Sequence, residues 1–226
     1  MRFWIGVTDN NWYKFLADLR PDEVNFWQPS AMPPFTNALM GLPFLFKLKR
    51  PYNHIAGGGF FVTYSSLPLN LAWEVFGPKN GCASLDELRN MISKLTSDKR
   101  SDGQIGCTVL ANPFFFDEPM WIPDLPGWAS SIVRGKMYDT KGSEGMSIWN
   151  DVQARLRLHQ PENIQTDRSP IVADQVEKYG SPVMVRPRLG QSSFRVLVTD
   201  AYQRRCAITG ERTLLALEAA HIIPYS

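Results

Sequence analysis

The sequence has few cysteines, few histidines and no long apolar run, and each shortage excludes a class of protein. Its three cysteines, Cys82, Cys107 and Cys206, are widely spaced and odd in number. They suit a reducing compartment and predict no disulfide framework. No stretch approaches the roughly 20 apolar residues that span a membrane, and residues 1–7 lack the cleavage site of a secretory signal. We therefore expect a cytoplasmic globular protein.

The length of the chain permits a buried core, and its local excess of arginine favours an anionic partner. The 226 residues are 44% hydrophobic and 20% charged, which permits one large domain or two smaller ones. Basic and acidic side chains balance over the first 150 residues. Between Arg186 and Arg212 stand six arginines against Asp200 and Glu211. This excess favours a polyanion, although a solvated surface would explain it equally well.

Hydrophobic periodicity predicts mixed α and β structure over the first 142 residues. Ser84 and Glu87 form a capping box that opens a helix, and Thr8 or Asp9 can cap an earlier one. Residues 57–59 are three glycines, which favour a bulged or closely approached strand over a phosphate-binding loop. Strands are predicted at 2–7, 23–27, 43–48, 55–64 and 105–110, and residues 114–121 are expected to extend the sheet.

The remainder is predicted to form a linker and a second unit. A helix begins at Ser143 and is expected to leave the first domain. Four prolines between Pro161 and Pro187 indicate a linker. A helix at about 193–205 and a hairpin at 206–222 follow. The expected domains are therefore 1–142, a linker at 143–187, and 188–226.

The last forty residues resemble the opening of an HNH (ββα-metal) nuclease domain. The resemblance rests on residues 188–194, on the segment from Cys206 to Gly210, and on the hairpin end Ala220-His221-Ile222. It implies that His221 is the general base that activates water beside one divalent metal such as Mg²⁺. A lone histidine on a strand would be the alternative.

The resemblance is incomplete in ways that bear on activity. Ala220 stands where many relatives carry a metal ligand, and Glu218 has unusual spacing for a substitute, so the metal ligands stay open. Thr209 replaces the second cysteine of the zinc-supported relatives, and we expect no structural zinc. The motif's asparagine and last histidine do not occur before Ser226. We therefore expect this chain to bind DNA without cleaving it.

The first domain resembles the PUA superfamily, which includes the EVE, ASCH, YTH and SRA-like domains. The resemblance rests on residues 43–49, 55–62 and 72–77. It implies an α+β fold, a curved sheet or open barrel flanked by helices, followed by a linker helix and an incomplete ββα-metal unit. Fusions of such domains to HNH nucleases resemble modification-dependent restriction endonucleases, in which a flipped, modified base enters an aromatic pocket.

Base flipping requires flat apolar walls and a few polar groups. The loop predicted after the second strand offers both, and Trp27 is expected to be a wall rather than a core residue. The candidate pocket residues are Asn25, Trp27, Gln28 and Pro29, with Trp73 or Tyr138 opposite. The candidate phosphate contacts are Lys47, Lys49, Arg134 and Lys136.

Three functions remain open at this point. The first is a modification-dependent DNA endonuclease, with DNA carrying modified bases as partner and a homodimer as a possible assembly. The second is a PUA-like nucleic-acid-binding module without nuclease activity. The third, an enzyme with a cysteine or serine nucleophile, has little support because no cysteine has a nearby histidine, and His54 and His159 lie in ordinary contexts.

Overall fold

The computed structural model describes residues 1–35, 39–95, 103–123, 125, 128–129, 131–159, 190–206, 208–212 and 219. It confirms the α+β class, because helices pack on one mixed six-stranded sheet of order β2-β5-β4-β3-β1-β6. The strands are β1 Arg2–Thr8, β2 Glu23–Gln28, β3 Pro43–Leu48, β4 Ile55–Pro68, β5 Gln104–Phe115 and β6 Gly135–Asp139. The helices are α1 Asn10–Leu19, α2 Leu69–Phe76, α3 Leu85–Ser93, α4 Ser143–His159 and α5 Gln191–Ala201.

Local sequence signals placed the strands and helices that carry strong patterns. The Asp9 side chain accepts hydrogen bonds from the backbone of Asn11 and Trp12 and so caps α1. Ser84 caps α3 by accepting from the Glu87 N–H. Each side chain satisfies a backbone N–H that has no partner within the helix. Both caps match the predicted helix starts.

Several elements differ from the prediction. Helix α2 and strand β6 were not predicted, and α2 occupies part of the segment that carried the PUA resemblance. Strands β4 and β5 extend beyond their predicted ends. Residues 114–121 do not extend the sheet along their whole length, because β5 ends at Phe115 and the 3₁₀ turn Glu118–Met120 follows. Within the described residues, no helix is long and apolar enough to cross a bilayer.

The sheet curls because β4 is long and irregular. Its pairing register shifts between Gly58 and Phe60 and again between Phe61 and Thr63, and such bulges bend a strand. A Cβ atom at Gly57 would lie 2.2 Å from the Phe114 carbonyl oxygen. The glycine run therefore admits a close backbone approach, as predicted.

Three apolar clusters fill the space on and around the curled sheet. One contains Trp4, Trp12, Phe44 and Phe46. A second joins α2 and α3 to β4 and β5, and a third lies under α4. Helix α4 does not leave the sheet, because Trp149 and Val152 are buried in the third cluster. Helix α5 also packs on the sheet, through Val196 in the second cluster.

Candidate functional site

A cavity of about 610 Å³ opens beside the first apolar cluster. Its walls come from β1, α1, the end of β2 with the following loop, and the segment before β6. The residues that line it are Trp4, Val7, Asp9, Trp12, Phe26, Trp27, Gln28, Pro29, Ser30, Pro34, Lys49, Leu95, Val133 and Arg134. Its size falls within the range of small-ligand sites.

The curl of the sheet creates the aromatic part of this cavity. Strands β2 and β3 are separated in the sheet by β5 and β4, yet the Phe26 ring centroid lies 4.7 Å from that of Phe44. Phe26 also contacts Trp12 of α1 edge-on, at 5.4 Å between centroids. Because side chains alternate along β1, Trp4 projects to the same side of the sheet as Phe26 and Phe44. These rings meet in space because the sheet curls.

Charged groups gather where β1 and β3 end side by side. The two strands are parallel, so Asp9, after β1, and Lys49, after β3, lie close, with 3.1 Å between Asp9 Oδ2 and Lys49 Nζ. The backbone carbonyl of Arg134 accepts from the Val7 N–H at 2.9 Å, and its side chain is exposed. Two cations and one carboxylate therefore border the cavity.

The Asp9 carboxyl stays ionised beside Lys49. Its burial opposes ionisation, but the hydrogen bond and charge of Lys49, together with the Trp12 and Asn11 N–H groups, hold the pKa of Asp9 below its usual value. The carboxylate partly neutralises Lys49. Arg134 is consequently the better candidate for binding an anion at this cavity.

Trp27 and Gln28 line the cavity, but both are already held by the protein. Trp27 is the next-to-last residue of β2, and its indole Nε1–H donates to the Asn80 carbonyl at 2.9 Å. The amide nitrogen of Gln28 donates to the Ser30 carbonyl at 3.1 Å and to the Met32 carbonyl. The polar group that Gln28 can offer a ligand is therefore its Oε1 acceptor.

Three other predicted pocket residues do not line the cavity. Asn25 is fully buried, and its Nδ2 donates to Asn80 Oδ1 at 2.9 Å. Trp73 packs on the second apolar cluster. Tyr138 is buried in the third and stacks on Phe3. The structure does not bring these three residues to the cavity, since Asn25 is bound to Asn80 and Trp73 and Tyr138 pack in other apolar clusters.

The predicted phosphate contacts divide in the same way. Lys49 and Arg134 line the cavity. Lys47 is buried on the opposite side of β3, where its Nζ lies 5.1 Å from the Trp128 ring centroid. Lys136 lies over the Tyr138 ring at 4.5 Å. Neither Lys47 nor Lys136 is placed to join Arg134 at the cavity.

Trp4, Trp12 and Phe26 are the wall residues that the sequence interpretation missed. Each occupies a position whose period predicted only core packing, and core packing is indeed part of its role. One available signal was the run Val7-Thr8-Asp9, where a strand with aromatic residues passes directly into a capped helix. That signal does not identify which ring faces open space.

The chemistry predicted for the C-terminal residues falls mostly outside the described part. His221, Glu218 and Ala220 lie there, as does most of the hairpin predicted at 206–222. The described turn after α5 is closed by the Cys206 N–H donating to the Glu211 carbonyl at 2.8 Å. Among the described residues, no cluster of three or more His, Cys, Asp or Glu side chains is arranged to hold a metal ion.

Burial argues against a nucleophilic role for two cysteines. It raises the pKa of the Cys107 thiol to about 12 and that of Cys82 to about 11. The thiolate is the nucleophile in cysteine chemistry. Neither side chain supplies it at neutral pH.

Comparison with known proteins gives a limited result. No family model matches the sequence, and no curated protein matches it. Two crystal structures of mutant forms of the ZmASCH protein from Zymomonas mobilis are similar in fold. One has a TM-score of 0.45 at 9% identity, covering 66% of this chain and 94% of that chain. The other has a TM-score of 0.43 at 10% identity, covering 66% and 96%. At these values neither similarity assigns the chain to a family, and the PUA-like fold stays a prediction.

Proposed function

We propose that this protein is a nucleic-acid-binding module that takes a single base into the cavity beside Trp4, Trp12 and Phe26. The observation that carries the proposal is the combination of aromatic walls with exposed Arg134 at one cavity. A base offers a flat ring and a phosphate offers a negative charge. Aromatic side chains and arginine bind these two groups respectively.

The finer proposal is that the base is modified and enters by flipping from DNA. A flipped base is read by stacking and by hydrogen bonds to its polar edge. Gln28 and Asp9 line the cavity, and each carries side-chain oxygen atoms that can accept hydrogen bonds. They would favour a base that presents amino groups. An apolar modification that packs against the aromatic walls adds contact area without burying a polar group.

The test uses Trp27→Ala with Trp73→Ala as the matched control, since Trp73 lies outside the cavity lining. Affinities are measured for single-stranded and duplex oligonucleotides with and without modified bases. Loss of a stacking wall costs about 1–3 kcal/mol, or roughly 5- to 150-fold in affinity. Trp27→Ala should lose this factor while its salt-sensitive binding persists, and Trp73→Ala should bind normally.

Two results would overturn the proposal. The first is absence of binding to every oligonucleotide by the folded wild-type chain. The second is an equal loss in both tryptophan variants, which would make Trp27 a packing residue like Trp73. Binding of free small aromatic compounds without oligonucleotide binding would instead favour a metabolite site.

Phosphodiester hydrolysis is a separate proposal, motivated by the sequence around His221. In that proposal a divalent metal is needed, DNA is the substrate and the binding module aims the nuclease. The chain is expected to leave modified plasmid intact with Mg²⁺ or Mn²⁺. Cleavage that His221→Ala leaves unchanged would place a nuclease site elsewhere and end the HNH assignment.

A further inference from the structure

The 3₁₀ turn Gly77–Asn80 and the following Gly81 contact two places at once. On one side the turn meets the buried anchor of α5. On the other it meets two aromatic residues of the cavity. We call residues 77–81 the bridging turn. The effect of this turn on ligand affinity rests on the proposed function, whereas its contacts within the protein do not.

The anchor of α5 is the carboxylate of Glu23, which is fully buried. Its Oε1 accepts from the Ser192 N–H and its Oε2 from the Ser193 N–H, both at 2.9 Å, and the Ser193 hydroxyl donates as well. The residue before the helix, Gly190, provides no side-chain cap. A Cβ at Gly190 would lie 2.5 Å from Glu23 Cδ. A carboxylate distant in sequence therefore caps this helix.

The bridging turn binds the same carboxylate. Lys79 Nζ lies 2.9 Å from Glu23 Oε1 and 2.7 Å from Asp22 Oδ1. Burial opposes ionisation of Glu23, but the bonds from Ser193, Lys79 and Ser192 hold the pKa of its carboxyl below the usual value. The helix end, the carboxylate and the turn thus form one charged, hydrogen-bonded unit.

Asn80 connects this unit to the cavity. Its carbonyl accepts the Trp27 indole N–H at 2.9 Å. Its side chain is fully buried and makes three bonds, accepting from Asn25 and donating to the Ala72 and Gly77 carbonyls. With its side chain held in this way, Asn80 presents its carbonyl to Trp27 in one position.

Gly81 contacts the second wall. It has φ of 81°, and a Cβ there would lie 2.1 Å from Trp12 Cδ1. The backbone of the bridging turn is therefore packed directly against the Trp12 ring. A displacement of the turn has to displace Trp12, Trp27 or both, because packed rings leave little free volume.

We propose that Asn80 is the positioning residue of the cavity, and that docking of α5 on Glu23 sets the position of Trp27 and Trp12 through the bridging turn. Coupling of this kind is reciprocal. Release of α5 weakens binding of a base, and a bound base strengthens docking of α5. The segment that follows α5 in the chain is thereby linked to occupancy of the cavity.

The first experiment needs no ligand. Hydrogen exchange of the Trp27 indole N–H and of the α5 backbone is followed by NMR in wild type, Glu23→Gln and Ser193→Ala. Ser193→Ala removes a single donor and serves if Glu23→Gln does not fold. Arg195→Ala is the control, because it removes a partly exposed ion pair with Glu74 to which the bridging turn contributes no atom.

Faster α5 exchange accompanied by at least about tenfold faster Trp27 indole exchange is the expected result, with no indole change in Arg195→Ala. If α5 is released and the indole exchange is unchanged, the coupling is disproved. If neither Glu23→Gln nor Ser193→Ala releases α5, Glu23 is not its anchor and the proposal also fails.

The second experiment measures oligonucleotide affinity in the same variants. The expected result is weaker binding in Glu23→Gln and Ser193→Ala, and wild-type binding in Arg195→Ala. Failure of the wild type to bind any oligonucleotide would remove the proposed function but leave the exchange result standing. Unchanged affinity in Glu23→Gln, with its α5 released, would overturn the link to the cavity.

Discussion

The two ends of strand β2 contrast in how their polar groups are satisfied. At Glu23 the carboxylate is fully buried and every bond it makes is to the protein. At Gln28 the strand runs into an open cavity lined by half-buried side chains. The first end anchors a helix, and the second borders the proposed ligand site. Six residues therefore carry both a structural anchor and a candidate binding site.

The contrast has an energetic basis. Removing a buried carboxylate that accepts from charged and backbone donors lowers stability, because the buried donors are left without an acceptor and water cannot replace it. The half-buried groups at the Gln28 end of β2 lose less when they are replaced, since solvent reaches them. Substitutions at the Glu23 end of β2 should therefore cause the larger loss of stability. Substitutions at the cavity end should cause the larger loss of ligand affinity.

The largest effect on stability is expected from Glu23→Ala. The substitution removes the acceptor of the Ser192 and Ser193 N–H groups and one of the two carboxylates beside Lys79. Each lost hydrogen bond to a charged group costs about 1.5–3 kcal/mol. Urea unfolding followed by circular dichroism measures the loss. The matched variant Glu23→Gln keeps an acceptor and should lose less. Equal stability of Glu23→Ala and wild type would show that the buried anchor contributes nothing.

A smaller loss is expected from Gly81→Ala, which tests the contact between the bridging turn and the cavity wall. The new Cβ meets the Trp12 ring and also sits at positive φ, and overpacking costs about 1–3 kcal/mol. Gly210→Ala is the control, since Gly210 has φ of 73° but nothing within 4 Å of the added atom. The Gly210→Ala variant therefore measures the free-energy cost of placing alanine at positive φ without a steric contact.

Thermal unfolding of the two glycine variants measures the difference. Gly81→Ala should unfold at the lower temperature, with a changed tryptophan fluorescence spectrum. Equal melting temperatures would mean that Trp12 yields to the methyl group without loss.

The smallest effect is expected from Arg195→Ala. The Arg195–Glu74 pair is 2.8 Å long but partly exposed, and such pairs contribute about 0.2–1 kcal/mol. The measurement is chemical unfolding at low and high salt, where wild type should lose most of its small advantage at high salt. A loss as large as that of Glu23→Ala would show that α5 docks through its exposed side instead.

Local pattern sufficed for much of the fold but for little of the site. Alternation and caps predicted β1, β3, α1 and α3, because these signals act between residues near in sequence. Helix α2 was not predicted although Leu69, Ala72 and Phe76 are buried at helical spacing. It has only eight residues and no side-chain cap at its start, so it lacks the local signals that identified α1 and α3.

The sequence predicted some of the residues that line the candidate site and misplaced others. Trp27, Gln28 and Pro29 were expected at a cavity and line one, together with Lys49 and Arg134. Lys47 was misplaced because a period of two puts it on the other side of β3 from Phe46. The face that a strand turns to the cavity is set by its neighbours, and those neighbours are distant in sequence.

The sequence by itself determined the mixed α and β character, the glycine run that admits a close strand, and the caps of two helices. These follow from local hydrogen bonding and side-chain period. Only the tertiary structure decided that Trp4, Trp12 and Phe26 meet at one cavity, and that Glu23 caps a helix that begins at Gln191. Both depend on the curl of the sheet and on burial, which bring together groups that no local signal pairs.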